Sequence, residues 1–151
     1  MDFEQADRLN QSIRSVAMRH RAIAGALLTP LGLHPGQEIL VLALAEAPLT
    51  QAELATASGC EPPTITNSVR KLEAAGLVDR RASVTDGRVT IVELSDRGRA
   101  LLPRLRDAWR RLAELTVAGL AATSPDELAH AVVDLAASLT AATSLTRSGD
   151  G

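Results

Sequence analysis

Three stretches of apolar residues at helical spacing, two adjoining short helices with locally written ends, and two β-forming runs joined by a polar tip predict a mainly α fold with a small β-hairpin wing. In order along the chain they make a winged helix-turn-helix lobe at 35–95, with an N-terminal dimerisation helix at 1–34 and C-terminal dimerisation helices at 96–151.

In residues 3–28, Ala6, Leu9, Ile13, Val16, His20, Ile23 and Leu27 recur three and four apart, which is a helix with a coiled-coil-like seam. His20 lies on that seam and reads as a partly buried histidine, satisfied by a carbonyl or a partner chain. Arg14, Arg19 and Arg21 lie off it and read as solvated. Pro30-Leu31-Gly32-Leu33 breaks the helix, and His34 and Pro35 open another that continues to about Glu46. Ile39 to Ala45 is apolar all round, so this helix is expected to be buried on every side.

Pro48 ends that segment, and Thr50 begins the next helix with Glu53 placed to close a capping box. Gly59, within the turn Ser58-Gly59-Cys60, permits the left-handed residue that stops it. Pro62 then starts a helix running to about Ala75. Ile65, Val69 and Leu72 fall on one face of it. Pro63, Asn67, Arg70 and Ala74 fall on the other, flanked by Thr64, Thr66 and Lys71. A face of hydroxyls, an amide and two cations suits base edges and phosphates in a major groove, although taken alone it equally suits a solvated helix.

The following hairpin favours the first reading. Residues 77–81 and 89–92 are rich in β-formers, and the tip near Val84 to Arg88 carries Asp86 and Arg88. A hairpin beside a groove-reading helix can place an arginine in the adjacent minor groove. Asp86 is then expected to orient Arg80, Arg81 or Arg88 by a charge-assisted hydrogen bond; an ordinary exposed Asp-Gly turn is the plainer alternative.

Ser95 can cap the helix starting at Asp96, where Leu101, Leu105, Ala108, Leu112, Leu115 and Gly119 form a second seam and Pro103 sits in the first turns. Ser124 and Glu127 make another capping box, followed by a third seam at Leu128, Val132, Leu135, Leu139 and Ala142; Ser148 to Gly151 is expected to fray. Three striped helices exceed what one small lobe needs to cover itself, so a homodimer is expected, with an intramolecular bundle as the competing reading.

Composition narrows the function. Phe3 and Trp109 are the only aromatic residues, which argues against a base-stacking single-strand binder. The net charge of −2 spreads no global basic field, yet 97–111 holds six arginines against one aspartate. His20, His34, His130 and Cys60 lack the close spacing of a zinc site, so no metal or other cofactor is expected. Neither a glycine-rich phosphate loop nor a nucleophile turn is present, and no enzyme activity is expected. One cysteine leaves no internal disulfide, and Cys60 reads as a small turn residue. With no signal peptide and no apolar run of bilayer length, the expected place is the cytoplasm, without membrane contact.

The run P-T-I-T-N-S-V-R-K-L-E-A-A-G-L-V, then R-R, D-G-R and V-E-L-S-D-R-G-R-A-L, resembles the recognition helix, wing and fifth-helix entry of the MarR family of bacterial transcription regulators. The likeness extends over nearly the whole chain. It implies a dimeric repressor of a near-palindromic double-stranded operator. Arg70, Asn67 and Thr66 would read bases beside Pro63, and Arg88 would enter the minor groove. Thr50, Gln51, Thr64 and Lys71 would hold phosphates, supported by Arg80, Arg81 and Asp86. It also implies release by a small-molecule effector, with His20, His34 and Trp109 as candidate pocket residues. The rival reading is a winged-helix protein-interaction module without DNA binding, motivated by Asn67 and Gly87, where many relatives carry basic residues, and by the slight negative charge.

Overall fold

The computed structural model describes residues 1–148, with side chains to residue 143. The expected fraying of the tail falls, from residue 149 on, outside the described residues. Two compact units are present, Met1–Leu112 and Ala113–Gly151.

Helix α1 (Phe3–Leu28) opens on Asp2 in a reciprocal cap with Gln5. Its seam is not spent within the chain: Leu9, Val16 and Ile23 are exposed, and burial falls instead on Ala24 and Leu28. His20 is exposed as well, so within one chain the expected partial burial does not occur. A 3-10 turn (Thr29–Leu31) leads to helix α2 (Gln37–Ala43), which is shorter than the expected 34–46.

The physical reason is Gly36, which takes φ 104 at the helix start and holds His34 and Pro35 outside it. The Gln37 side chain accepts from the His34 amide at 2.9 Å and Glu38 from the Gly36 amide at 2.6 Å, satisfying donors that have no partner within the helix. Both side chains are buried while Ile39 is 37% exposed, so α2 is not buried on every side.

Helices α3 (Gln51–Ser58) and α4 (Pro62–Ala74) form the helix-turn-helix. The Thr50–Glu53 capping box forms as expected, and Gly59 ends α3 at φ 64. At the end of α4, Gly76 (φ 70) and Leu77 return their amides to the Glu73 and Leu72 carbonyls, a Schellman closure that turns the chain sharply into the wing.

The sheet has order β1-β3-β2, all antiparallel, from β1 (Leu49–Thr50), β2 (Val78–Ala82) and β3 (Thr90–Leu94). Val92 stands opposite both Leu49 and Arg80. The core of the first unit takes Leu28, Val41, Leu54, Val69, Val92 and Leu105, one from each of α1, α2, α3, α4, β3 and α5.

Helix α5 (Asp96–Val117) runs through Pro103. Its stripe at Leu101, Leu105 and Leu112 is buried in the chain's own core, while Leu115 of the same stripe and Trp109 are exposed, so α5 also leaves apolar surface uncovered. In the second unit, α6 (Pro125–Ser148) begins with the Ser124–Glu127 box and leaves Val132 and Leu139 each 53% exposed.

Both capping boxes respond to acid. Backbone and hydroxyl hydrogen bonds from Thr50 hold the Glu53 carboxyl below the usual carboxylate range, and Ser124 does the same for Glu127. A lowered folded-state pKa gives stability that is present above the unfolded-state pKa and is lost as pH falls through the folded one. Protection of the amides in the first turns of α3 and α6, measured against their intrinsic exchange rates at each pH, should therefore fall on acidification. That dependence should vanish in Glu53→Gln and Glu127→Gln; identical acid profiles in parent and variants would contradict it.

Candidate nucleic-acid interface

Helix α4 sorts its side chains as its spacing requires. Ile65, Val69 and Leu72 are buried against the lobe, and Pro63, Thr64, Thr66, Asn67, Arg70 and Lys71 are all exposed. Two hydrogen bonds organise the exposed face. Arg70 donates from Nη2 to Asn67 Oδ1 at 2.8 Å, and the Thr66 hydroxyl meets Gln51 Oε1 at 3.1 Å, tying the reading helix to the first turn of α3.

The wing is braced by ion pairs that sequence reasoning missed. Arg80 contacts Glu73 of α4 at 2.6 Å, and Arg81 contacts Glu93 across the β2–β3 ladder at 3.2 Å. Glu73, by its hydrogen bond and its charge, raises the Arg80 pKa further above its ordinary value. Both pairs are solvent-exposed and modest in strength, but the first links recognition helix to wing. The only signal for it was a carboxylate one residue before Ala74 and an arginine two residues into β2. Nothing local joins such positions until the Gly76 turn folds one over the other.

Asp86 does not orient any arginine side chain. Its carboxylate accepts from the Arg88 backbone amide at 3.0 Å, and its carbonyl accepts from Val89 at 2.9 Å, so it shapes the tip turn instead. The expectation failed because a short carboxylate two residues before an open amide finds that donor at once, whereas the guanidiniums of Arg80 and Arg81 already hold Glu73 and Glu93. Ser83 also accepts from the Thr85 amide at 3.3 Å. Arg88 is exposed in this tip. It shares the walls of a crevice of about 400 Å³ with Thr50 and Gln51, so the start of α3 and the wing arginine come together.

A second crevice, of about 290 Å³, lies behind α4 and is lined by Arg21 of α1, His34, Cys60, Ser68 and Lys71, with Leu40 and Ile65 among its apolar walls. Of the three expected pocket residues only His34 belongs to it. His20 and Trp109 lie outside, and Arg21, read as merely solvated, is part of the lining. Among the described residues no group of three or more His, Cys, Asp or Glu gathers as metal ligands, and no helix is long and apolar enough to cross a membrane.

A buried-backed, polar-faced helix after a tight turn, flanked by a braced hairpin with an arginine at its tip, defines a winged helix-turn-helix of the nucleic-acid-reading kind. Residues 31–89 match the model of the MarR family. The HTH-type transcriptional repressor Rv2887 of Mycobacterium tuberculosis is 37% identical over 108 residues, spanning 71% of this chain and 78% of that protein. The crystal structure of a probable transcriptional regulator from Pseudomonas aeruginosa superposes with a TM-score of 0.79 at 29% identity, covering 87% of this chain and 98% of that one. The M. tuberculosis regulator MOSR, solved in complex with DNA, gives 0.74 at 25% identity over 87% and 96% of the two chains. The chain belongs to the MarR family of DNA-binding transcriptional regulators.

Proposed function

We propose that this protein is a cytoplasmic, dimeric repressor that reads a near-palindromic operator and acts by binding alone, without catalysis. The observation that carries the reading is the exposed Thr66–Asn67–Arg70 surface of α4, anchored to α3 through Gln51 and flanked by Arg88. Asn67 holds one guanidinium nitrogen of Arg70, which leaves the Asn67 amide nitrogen and the other guanidinium N–H groups for base edges. Thr50, Gln51, Thr64 and Lys71 stand around this surface as phosphate contacts, with Pro63 at its leading edge. Arg80 and Arg81 hold the wing at its angle, and Asp86 holds its tip.

Two copies are joined through the apolar seams that one chain leaves exposed. Replacing Val132 and Leu139 together by Glu should turn a dimer into a monomer in light scattering and abolish operator binding at concentrations that saturate the parent. A double variant that stays dimeric would contradict this assignment.

The crevice behind α4 is the effector site. Arg21 and Lys71 bring positive charge to a space backed by Leu40 and Ile65, which suits a small organic anion with an apolar ring. Because Arg21 belongs to α1 and Ser68 and Lys71 to α4, an occupant favouring one relative placement of the two helices shifts the population away from the operator-binding form. A mobility-shift assay on the DNA upstream of the protein's own reading frame tests the proposal. A retarded complex, dissolved by a candidate organic acid in the parent but not in Arg21→Ala, is expected; failure to retard that DNA at low salt would overturn it.

A further inference from the structure

The wing carries a hydroxyl that DNA reading does not use. Arg80-Arg81-Ala82-Ser83-Val84 places two arginines three and two residues before Ser83 and an apolar side chain directly after it. Of all the serines and threonines in the chain, only Ser83 has arginine at both of those positions, and the chain has no tyrosine. A protein kinase with a carboxylate-lined substrate cleft selects this order, because each guanidinium meets a carboxylate while the hydroxyl lies at the phosphoryl donor.

The fold presents the segment in the form such a cleft takes. Strand β2 is already extended through Ala82, and among the described residues it pairs only with β3, so its other edge has no strand beside it. Arg80 meets Glu73 through Nη2 and Arg81 meets Glu93 through Nε, which leaves further N–H groups on each guanidinium. Val84 is 95% exposed. Ser83 stands at the end of the ladder, its amide donating to the Val89 carbonyl at 2.8 Å, which sets it beside Arg88 across the hairpin. Its oxygen lies 3.0 Å from the Thr85 hydroxyl and accepts from the Thr85 and Asp86 amides at 3.3 and 3.4 Å. Amides converging in this way suit phosphoryl oxygens.

We propose that Ser83 is a phosphorylation site for a basophilic serine/threonine protein kinase, and that the phosphoryl group turns off DNA binding. The Ser83 oxygen bonds to the γ-phosphorus of ATP as the bond from that phosphorus to the β,γ-bridging oxygen breaks; ADP leaves, and the hydroxyl proton passes to the kinase's base. The product adds a charge of about −1.5 to −2 at neutral pH beside Arg88 and Asp86. A duplex against the wing then meets repulsion where it met an arginine. Modification also needs a free wing, because a bound duplex covers it. The site stands on its own sequence and geometry; its consequence rests on the operator reading proposed above.

The probe is the catalytic subunit of cyclic-AMP-dependent protein kinase with Mg-ATP, acting on the full chain. One phosphate per chain is expected, mapped to Ser83 by tandem mass spectrometry and absent from Ser83→Ala. Thr85→Ala should accept phosphate as the parent does, whereas Arg80→Ala/Arg81→Ala should slow incorporation at least about tenfold. If that pair fails to fold, Arg81→Gln, which can still hydrogen-bond to Glu93, gives the same test. The phosphorylated chain should bind the upstream DNA at least about tenfold more weakly than the unmodified chain, and phosphatase should restore binding. Prior binding of that DNA should slow incorporation. Phosphate at another hydroxyl, no incorporation, incorporation indifferent to the arginines, or full operator affinity after modification would overturn the proposal. An unmodified chain that retards no DNA would instead sink the operator reading, with phosphate incorporation still deciding the modification of Ser83.

Discussion

Arg70→Ala is expected to relax base choice at one or two positions in each half-site and to cost about 1–3 kcal/mol of operator binding. The size follows from what is removed: a guanidinium already held at 2.8 Å by Asn67, which meets a base edge with little further loss of side-chain freedom. Arg88→Ala should behave differently. Arg88 stands on the wing beside the start of α3, so its loss should weaken binding to many sequences alike and lower the slope of log affinity against log salt by about one. The two variants thus separate base reading from backbone and groove attraction. If both bind a panel of operator variants as the parent does at every salt concentration, the assigned roles are wrong.

Gly98→Ala is expected to be the most damaging single methyl group in the first unit. Glycine to alanine within a helix ordinarily gains about 1 kcal/mol. Here a Cβ would run into the carbonyl oxygen of Leu77 and come within 3.2 Å of Leu94 Cδ2. That carbonyl is fixed, because it also accepts from the Ser95 amide at 3.1 Å, while Ser95 caps Gly98 at 3.0 Å and donates to the Gly76 carbonyl at 2.6 Å. A clash with pinned backbone cannot be relieved by a rotamer change, so overpacking of about 3 kcal/mol outweighs the helix gain. The net loss, about 2 kcal/mol, lowers Tm by roughly 4–8 °C in a chain of this length. A thermal melt at or above the parent's would show that α5 can lift from β2 without cost.

What was legible in the sequence is what short-range chemistry writes. The Thr50–Glu53 and Ser124–Glu127 boxes, the Gly59 stop and the two faces of α4 each depend on residues within one or two turns of each other, and they formed as the sequence predicts. Strand β1 was missed because two residues carry no period, and only β3, some forty positions later, makes them a strand. Helix α2 is shorter than its apolar content predicts, because that content says nothing of a φ of 104 at Gly36. Asp86 was assigned the wrong partner because proximity in sequence favoured a backbone amide over distant guanidiniums.

The central claim is that two copies of the α4 face and the Arg88 wing grip one duplex together. Hydroxyl-radical footprinting of the upstream DNA tests it most directly. The account predicts two protected half-sites centred about one helical turn apart, roughly 34 Å, each with a flanking minor-groove protection that is lost in Arg88→Ala. A single protected patch, or protection that persists unchanged when Arg70 and Arg88 are both replaced by Ala, would contradict it.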